Sequence, residues 1–374
     1  MEFLTILLMA AIVIIVLTVI VWITKMVIDL APYAYVNARV RSREARLLDR
    51  NKINEILEAQ SFDELIGILE DTDYSEYISK VSGKDPIFIE KAFDLYLANL
   101  YKFLYDIAPN KAKQVLKIFM KKFDIKNIKT LIRAKNINLD AEEISDLLLP
   151  FGNIPKEKLR ELSEVKTVEE VIRGLEGTEY FKVLQEALTE YEHTKNIIYL
   201  ELALDKYYLN SLKRVMMIEG KEEDTFREFI GRMIDIENLK VILKTKADGL
   251  SGEEVVKYLT SGYELAEWKL KDLANATNIE AVLGGLEGTK YAEILSECMD
   301  EYNREKSIYV FEKILDKYLL ELGKKLSLRK PFGIGPIIGL IVSKELEIKN
   351  LKAIIKGKME NMKAEEIKNF LIYL

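Results

Sequence analysis

The sequence predicts an all-α protein in which three similar helical domains form a pseudo-threefold funnel with a central cavity, preceded by one N-terminal transmembrane helix. Three observations support this prediction. Apolar residues recur at helical spacing, and no alternating apolar-polar run of any length indicates a strand. Three sequence signatures each occur three times, in the same order. A long uncharged segment stands at the amino terminus.

The amino-terminal segment FLTILLMAAIVIIVLTVIVWIT, from Phe3 to Thr24, contains no charged residue. As a helix it is about 33 Å long, enough to cross the hydrocarbon core of a bilayer. A cleaved signal peptide is the competing interpretation, and it requires a basic leader, a shorter apolar run and a small-residue cleavage site. The leader here carries only Glu2, and no cleavage pattern follows. We therefore expect residues 1–32 to form a retained membrane anchor.

The flanking charges predict how this anchor is oriented. The basic residues on its carboxyl side are Lys25, Arg39, Arg41, Arg43, Arg46 and Arg50. The positive-inside rule then places the body of the protein on the cytoplasmic face of the cell membrane, with the amino terminus outside. The same arginines also suit a solvated helix face, and the two interpretations are compatible.

The first repeated signature is a capped helix. SFDELIGILEDTDY begins at Ser61, TVEEVIRGLEGTEY at Thr167 and NIEAVLGGLEGTKY at Asn278. Each copy opens with a good N-cap residue, and glutamate three positions after Ser61 and Thr167 predicts a complete capping box. Glycines in the second and third copies favour the left-handed conformation that ends a helix. The threonines that follow, Thr72, Thr178 and Thr289, are expected to cap the next helix.

The second and third signatures lie in long helices. The second is Asp-x-Tyr, with aspartates Asp94, Asp205 and Asp316 and tyrosines Tyr96, Tyr207 and Tyr318. The third reads FDIKNIKTLIRAK, IDIENLKVILKTK and LEIKNLKAIIKGK, in which an acid precedes an asparagine by three positions. The acids are Asp124, Asp235 and Glu347, and the asparagines are Asn127, Asn238 and Asn350.

The spacing of these signatures predicts an internal triplication, with repeat 1 at residues 33–161, repeat 2 at 162–272 and repeat 3 at 273–374. Related units that bury the same patch against their neighbours make head-to-tail contacts, which either close into a ring or continue as an open array. Three copies favour closure around a central hollow. An open, curved array is the alternative.

The composition excludes several functional classes. The formal net charge is -6, which argues against nucleic acid as the main partner. One cysteine, Cys298, and one histidine, His193, provide neither a disulfide nor a zinc site. Cys298 is most simply a small core residue, and His193 a surface residue without a catalytic partner. We predict no cofactor.

Nucleotide binding is also not indicated, because the chain contains no G-x-x-x-x-G-K-[ST] motif. The glycines of KPFGIGPIIGLIVSKE, Lys330 to Glu345, do not fit G-x-G-x-x-G, so Pro331 and Pro336 are expected to mark a bend between two helices. The three Asp-x-Tyr aspartates could form a proton or metal site. Pairing with a neighbouring lysine or tyrosine hydroxyl is the expected structural role.

Two basic positions close each copy of the third signature and are the candidate partner-contacting residues: Arg133, Lys135, Lys244, Lys246, Lys356 and Lys358. They could line the hollow and meet an acidic partner. They could equally be solvated residues at helix carboxyl ends, where positive charge favours the helix dipole.

The ordered set of motifs resembles a known family, the C subunits of archaeal-type (A-type) ATP synthases, which are related to the d subunits of vacuolar ATPases. The resemblance begins at YAYVNARVRSREARLL, Tyr33 to Leu48, and covers nearly everything after the anchor. It is close at GIGPIIGLIVSKELEIKNLKAIIKGK, Gly333 to Lys358, which looks like the family's last repeat. Many members start near the Tyr33 segment and lack a membrane helix, so the anchor of this chain is a departure from the family pattern.

The resemblance implies a non-catalytic rotor subunit. Its wide mouth would receive the tip of the central stalk, a D-type coiled-coil subunit together with an F-type subunit, and its narrow base would sit on the membrane ring of ion-carrying proteolipid subunits. It would transmit torque without itself catalysing a reaction. A membrane-anchored helical scaffold that tethers a soluble partner, unrelated to rotation, is the alternative function.

Overall fold

The computed structural model describes residues 2–80, 86–216 and 224–373, and in this part of the chain it contains helices and no strand. The predicted all-α class is therefore confirmed. The helices, in chain order, are α1 Glu2–Glu44, α2 Arg50–Glu58, α3 Phe62–Glu70, α4 Ser75–Ile78, α5 Pro86–Ile107, α6 Asn110–Asn136, α7 Ala141–Leu147, α8 Lys156–Glu164, α9 Val168–Gly174, α10 Glu179–Thr194, α11 Ile198–Val215, α12 Asp224–Ala247, α13 Gly252–Val256, α14 Glu267–Asn275, α15 Ile279–Gly285, α16 Lys290–Ser296, α17 Met299–Glu305, α18 Tyr309–Arg329, α19 Gly335–Met359 and α20 Ala364–Lys368.

The helices recur in three sets, α2–α7, α8–α13 and α14–α20. Each set contains a short helix, a capped signature helix, a connecting region, two long helices and a closing short helix. The second signature lies in the first long helix (α5, α11, α18) and the third signature in the second long helix (α6, α12, α19). The predicted limits 161/162 and 272/273 lie inside α8 and α14, so each set begins a few residues before them.

The caps of the first signature form as predicted, with one difference. The side chains of Ser61, Thr167 and Asn278 each accept a hydrogen bond from the backbone N–H three residues later. The predicted capping boxes are wrong in detail, because Glu64 and Glu170 accept from the backbone N–H of Gln60 and Lys166, one residue before the cap. A glutamate at this position is long enough to reach that N–H.

Glycine and threonine together determine how these helices end. Gly177 and Gly288 adopt φ of 83° and 81°, the left-handed conformation that was predicted. Thr178 and Thr289 occupy the N-cap positions of α10 and α16, as predicted, but their side chains make no capping hydrogen bond there. Instead the hydroxyls of Thr72, Thr178 and Thr289 donate backwards, to the carbonyls of Leu69, Leu175 and Leu286. The last carbonyls of a helix lack intrahelical donors, so the threonines supply them.

The repeated asparagine of the third signature fixes the chain that follows the second long helix. Its side-chain amide donates to a backbone carbonyl 22 residues later and its oxygen accepts from the same residue's N–H; the pairs are Asn127 with Leu149, Asn238 with Thr260, and Asn350 with Ile372. All three asparagines are buried. A buried amide that satisfies a backbone donor and acceptor folds the closing segment of each repeat back onto the long helix.

The six long helices make a closed cycle of contacts: α5 with α6, α6 with α11, α11 with α12, α12 with α18, α18 with α19, and α19 with α5. The last contact joins repeat 3 to repeat 1; we call this interface the seam. The short helices α7, α8 and α9 pack against α6, and α13, α14 and α15 against α12, so they cover one side of the cycle. The described contacts thus agree with closure of the three repeats, while the funnel shape and its cavity stay predictions.

Buried apolar residues form one shared core and two local cores. The shared core contains the carboxyl-terminal half of the first long helix and the amino-terminal half of the second from all three repeats, for example Leu104, Leu116, Leu212, Phe229, Leu326 and Ile337. It also extends through the seam. The other two cores lie at the interfaces between repeats 1 and 2 and between repeats 2 and 3. The three repeats therefore converge at one end of their long helices.

The amino-terminal helix α1 is long and apolar enough to cross a membrane, and its apolar window is not buried in the structure. It continues without interruption to Glu44, past the predicted domain limit at residue 32. Its last third packs on α19, where Val36 and Val40 are fully buried. The apolar segment is thus joined to the body by continuous helix.

Replacing Asn238 with leucine is expected to lower the free energy of unfolding by about 2–4 kcal/mol, because the N–H and C=O of Thr260 would stay buried without partners. Asn99→Leu on the exposed face of α5 is the matched control and should change stability by less than about 0.5 kcal/mol. Guanidinium unfolding of the full chain in detergent measures both variants. Equal effects would contradict the role assigned to the repeated asparagine.

Candidate functional site

The three acids of the third signature lie at the three interfaces between repeats. Each accepts a hydrogen bond from the tyrosine hydroxyl that ends the first signature of the next repeat: Tyr180 to Asp124 at 2.9 Å, Tyr291 to Asp235 at 3.1 Å and Tyr74 to Glu347 at 2.6 Å. Each also accepts from a backbone N–H two residues before the next repeat's first helix, namely Ile154, Leu265 and Leu48. The order is cyclic, from repeat 1 to 2, 2 to 3 and 3 to 1.

Glycine allows the chain to cross over two of these carboxylates. A Cβ on Gly152 would lie 2.1 Å from Oδ1 of Asp124, and one on Gly262 would lie 2.2 Å from Oδ1 of Asp235. No side chain fits at that separation. The glycine therefore brings the following N–H groups within hydrogen-bonding distance of the acid.

Burial governs the protonation of this site. It raises the pKa of Asp235 to about 6, although the N–H groups of Glu264, Tyr263 and Leu265 and the Tyr291 hydroxyl oppose that rise. Burial also raises the pKa of Tyr74, Tyr180 and Tyr291, and the adjacent carboxylates raise it further. At neutral pH the tyrosines therefore stay protonated and donate to the acids.

A basic side chain three residues before each acid makes a second contact with the next repeat. These residues are Lys121, Arg232 and Lys344, and they lie over the rings of the Asp-x-Tyr tyrosines Tyr207, Tyr318 and Tyr96 at 5.1, 6.0 and 5.2 Å. Lys121 also donates to the Tyr207 hydroxyl at 2.8 Å. The second signature's tyrosine thus binds a buried cation by its ring face.

The Asp-x-Tyr aspartates pair across the same interfaces. Each accepts from the lysine five residues after the preceding repeat's acid: Lys129 to Asp205 at 2.5 Å, Lys240 to Asp316 at 2.6 Å and Lys352 to Asp94 at 2.7 Å. This confirms the predicted structural role of these aspartates. Although burial alone would raise the pKa of Asp316, Lys240 and Lys349 outweigh it and the pKa is lowered.

The second residue of each basic pair is docked on the next repeat. Lys135 donates to the carbonyl of Ser163 at 2.7 Å, Lys246 to Ala274 at 2.9 Å and Lys358 to Ala59 at 2.6 Å. These carbonyls lie at the carboxyl ends of α8, α14 and α2, where a cation also favours the helix dipole. The three lysines therefore cap a neighbouring repeat's helix.

The first residue of each pair, Arg133, Lys244 or Lys356, is exposed. Arg133 forms a bidentate ion pair with Glu201 of repeat 2, with N–O distances of 2.6 and 2.7 Å, while 58% of its side chain stays accessible. The side chains of Lys244 and Lys356 make no hydrogen bond or ion pair with the described residues. Two of the three first-position residues are thus free to bind an external group.

Arg133, Lys244 and Lys356 share one stripe along the second long helices. The stripe, which we call the open stripe, also contains Lys126, Glu237 and Lys349, about two helical turns earlier in each case. On α6 and α12 the open stripe lies on the side of the helix opposite the buried residues, which pack against the short helices. The open stripe is therefore the side of each second long helix that the short helices leave uncovered.

The remaining candidate residues have structural surroundings. Cys298 is buried, its thiol donates to the carbonyl of Leu295, and burial raises its pKa to about 11. His193 is exposed. The described residues contain no cluster of three or more His, Cys, Asp or Glu that could hold a metal ion. Pro331 and Pro336 mark the bend between α18 and α19, as predicted.

The basic residues three positions before and five positions after each repeated acid were not predicted from the sequence. The signal was present, because Lys121, Arg232 and Lys344 align, as do Lys129, Lys240 and Lys352. A basic residue that recurs at a fixed offset from a repeated acid predicts a repeated contact.

Comparisons with known proteins point to the same family over most of the chain. The sequence model of the ATP synthase (C/AC39) subunit family matches residues 36–370. The chain is 69% identical to the C subunit of the A-type ATP synthase of Methanocaldococcus jannaschii, over 95% of this chain and 90% of that protein. It is 41% identical to the protein of the same name from Methanobrevibacter smithii, over 94% and 90%. For that of Pyrococcus abyssi the identity is 32%, over 91% and 90%.

Asp235→Asn is expected to change how stability depends on pH. Because the pKa of the folded-state carboxyl lies near 6, above its ordinary 3.8, the folded chain binds the proton more tightly. The stability contributed by Asp235 is complete below the unfolded pKa and is lost as pH rises towards 6. The free-energy gap between the parent chain and the variant should therefore shrink by about 2–3 kcal/mol from pH 3.5 to pH 7.

Guanidinium unfolding at the two pH values measures this gap. Asp272→Asn, at an exposed site on α14, is the matched control and should show no such change. A gap that widens as pH rises would mean that the interface favours the ionised form of Asp235 and would contradict the prediction.

Proposed function

Because the chain belongs to the ATP synthase (C/AC39) subunit family, we propose that it is a non-catalytic central-stalk subunit of an archaeal-type ATP synthase. In this role it couples the rotating stalk to the membrane ring of ion-carrying subunits, so that ion translocation drives ATP synthesis. The observation that carries the proposal is the cyclic set of contacts among the three repeats. A closed body with one shared core at one end is suited to transmit torque, because its parts cannot slide past one another.

The open stripe supports a partner-binding role for the other end. Arg133, Lys244 and Lys356 lie in the carboxyl-terminal half of the second long helices, beyond the end where the three repeats converge. If the cycle of six helices encloses a cavity, the side opposite the short helices faces it. We propose that these three residues meet an acidic surface of the stalk tip, the D-type coiled-coil subunit with its F-type partner. Lys135, Lys246 and Lys358 instead hold the wall together.

The end with the shared core is proposed to face the membrane. Asn37 of α1 donates to the carbonyl of Pro331, next to the start of α19, so the apolar helix leaves the body at this end. Arg39, Arg41, Arg43, Arg46 and Arg50 lie where α1 meets the body. By the positive-inside rule we place the body on the cytoplasmic face of the cell membrane and the amino terminus outside.

Purification of the complex from native membranes tests the proposed function. Stalk and ring subunits should purify together with this chain. The stalk and this chain should be present in a ratio near one to one. Recovery with a different set of partners would contradict the rotor role and support a membrane-anchored scaffold.

Lys244→Glu and Lys356→Glu are each expected to weaken docking of the stalk tip about tenfold, because each replaces attraction to an acidic surface with repulsion. Lys166→Glu, an exposed lysine between α8 and α9, is the matched control and should dock normally. Affinity is measured with the purified stalk subunits, and circular dichroism verifies folding. Unchanged affinity in both variants would remove these lysines from the binding site.

A further inference from the structure

The seam differs from the other two interfaces in how the chain crosses it. Between repeats 1 and 2 the backbone continues directly from α7 to α8, and between repeats 2 and 3 from α13 to α14. These covalent connections supply Ile154 and Leu265, whose N–H groups bind Asp124 and Asp235. At the seam no covalent connection joins α20 to α2. The equivalent N–H belongs to Leu48, which follows α1.

The last third of α1 is fixed to repeat 3. Asn37 donates to the carbonyls of Pro331 and Gly333 at 2.8 and 3.4 Å, and Arg41 donates to that of Ser327 at 3.3 Å. Farther along the chain, the N–H of Leu48 donates to Glu347 at 2.7 Å. These contacts reach the end of α18, the turn before α19 and α19 itself, so residues 37–48 lie against repeat 3.

The same segment also contacts repeat 1. The guanidinium groups of Arg39 and Arg43 lie 5.5 and 4.0 Å from the ring centre of Phe103 on α5, and Arg46 forms an ion pair with Asp73 at 3.0 Å. Residues 33–48 therefore contact both sides of the seam.

We propose that residues 33–48 are a strap that holds the seam closed and replaces the covalent connection present at the other two interfaces. Since the strap continues the apolar part of α1, closure of the three repeats is linked to the position of the membrane helix. The inference does not depend on which partner binds the open stripe.

Two features indicate that the strap can be released. An open cleft of about 380 Å³ lies beside its end, lined by Leu48, Arg50, Leu320 and Glu347 among others. The buried oxygens Oδ1 of Asn37 and Oγ of Ser327 have no hydrogen-bond partner among the described residues. An interface with unfilled space and unsatisfied polar atoms gains less from closure than a fully packed one.

Distances between spin labels test the strap in the full chain, held in lipid nanodiscs. Cys298→Ala provides a background without free thiols, because Cys298 is the single cysteine. Equivalent exposed positions give one labelled pair for each interface: 359 with 55 across the seam, 136 with 161 between repeats 1 and 2, and 247 with 272 between repeats 2 and 3. All three pairs should show one narrow distance population in the parent chain.

The strap is released by Val36→Asp with Val40→Asp, which place carboxylates at fully buried positions against α19. We expect the seam pair alone to gain a population at longer distance, while the two control pairs keep theirs and so report that the repeats remain folded. Tyr35→Asp puts one carboxylate on the exposed face of α1 and should change none of the three distances.

A milder variant, Arg39→Ala with Arg43→Ala, removes only the contacts with Phe103 and should broaden the seam distance without affecting the controls. An unchanged seam distance in the aspartate variant would overturn the proposal. So would equal broadening of all three pairs, because α1 would then stabilise the whole body and not the seam.

Discussion

The structure depends on one requirement: each repeat buries an acid whose tyrosine partner belongs to the next repeat. Asp124 and Asp235 are completely buried, and a carboxylate removed from water is costly unless donors surround it. Those donors are a tyrosine hydroxyl of the following repeat and backbone N–H groups of the segment that precedes its first helix. A single repeat would therefore leave the acid without its tyrosine and the tyrosine hydroxyl without its acceptor. The third acid, Glu347, finds its tyrosine in repeat 1, so the requirement is met in every copy when the contacts form a cycle.

The seam meets this requirement with different chemistry. Lys344 is buried and donates to Glu347 at 2.7 Å, which neutralises the seam acid from within its own helix. At the first interface the equivalent Lys121 instead pairs with Glu179 of the next repeat. Asp124 and Asp235 lie under a glycine-containing segment, whereas Glu347 receives the N–H that follows α1. Equivalent positions thus keep the same geometry while the source of each donor changes.

Sequence periodicity was enough to predict the helical class, the three repeats and the long helices that carry the second and third signatures. It also predicted that the Asp-x-Tyr aspartates pair with a neighbouring lysine or tyrosine hydroxyl, and their partners are lysines of the preceding repeat. It did not separate Arg133 from Lys135, or Lys244 from Lys246. Residues two positions apart on a helix point in different directions. Only the packing of the next repeat decides which of the two contacts it. The threonine hydroxyls were assigned to the wrong helix because both neighbouring helix ends lack partners and the sequence does not rank them.

The similarity of the three repeats has a consequence for an asymmetric partner, on the proposal that they surround a common axis. Turning such a partner by a third of a revolution would present it with almost the same backbone, so three orientations would compete. Discrimination among them rests on the few positions where the copies differ. On the open stripe, Glu201 pairs with Arg133, whereas the side chains of Lys244 and Lys356 have no such partner among the described residues. This inequality distinguishes repeat 1 from the other two, and in the proposed closed arrangement it would give the body a reference direction for angular alignment.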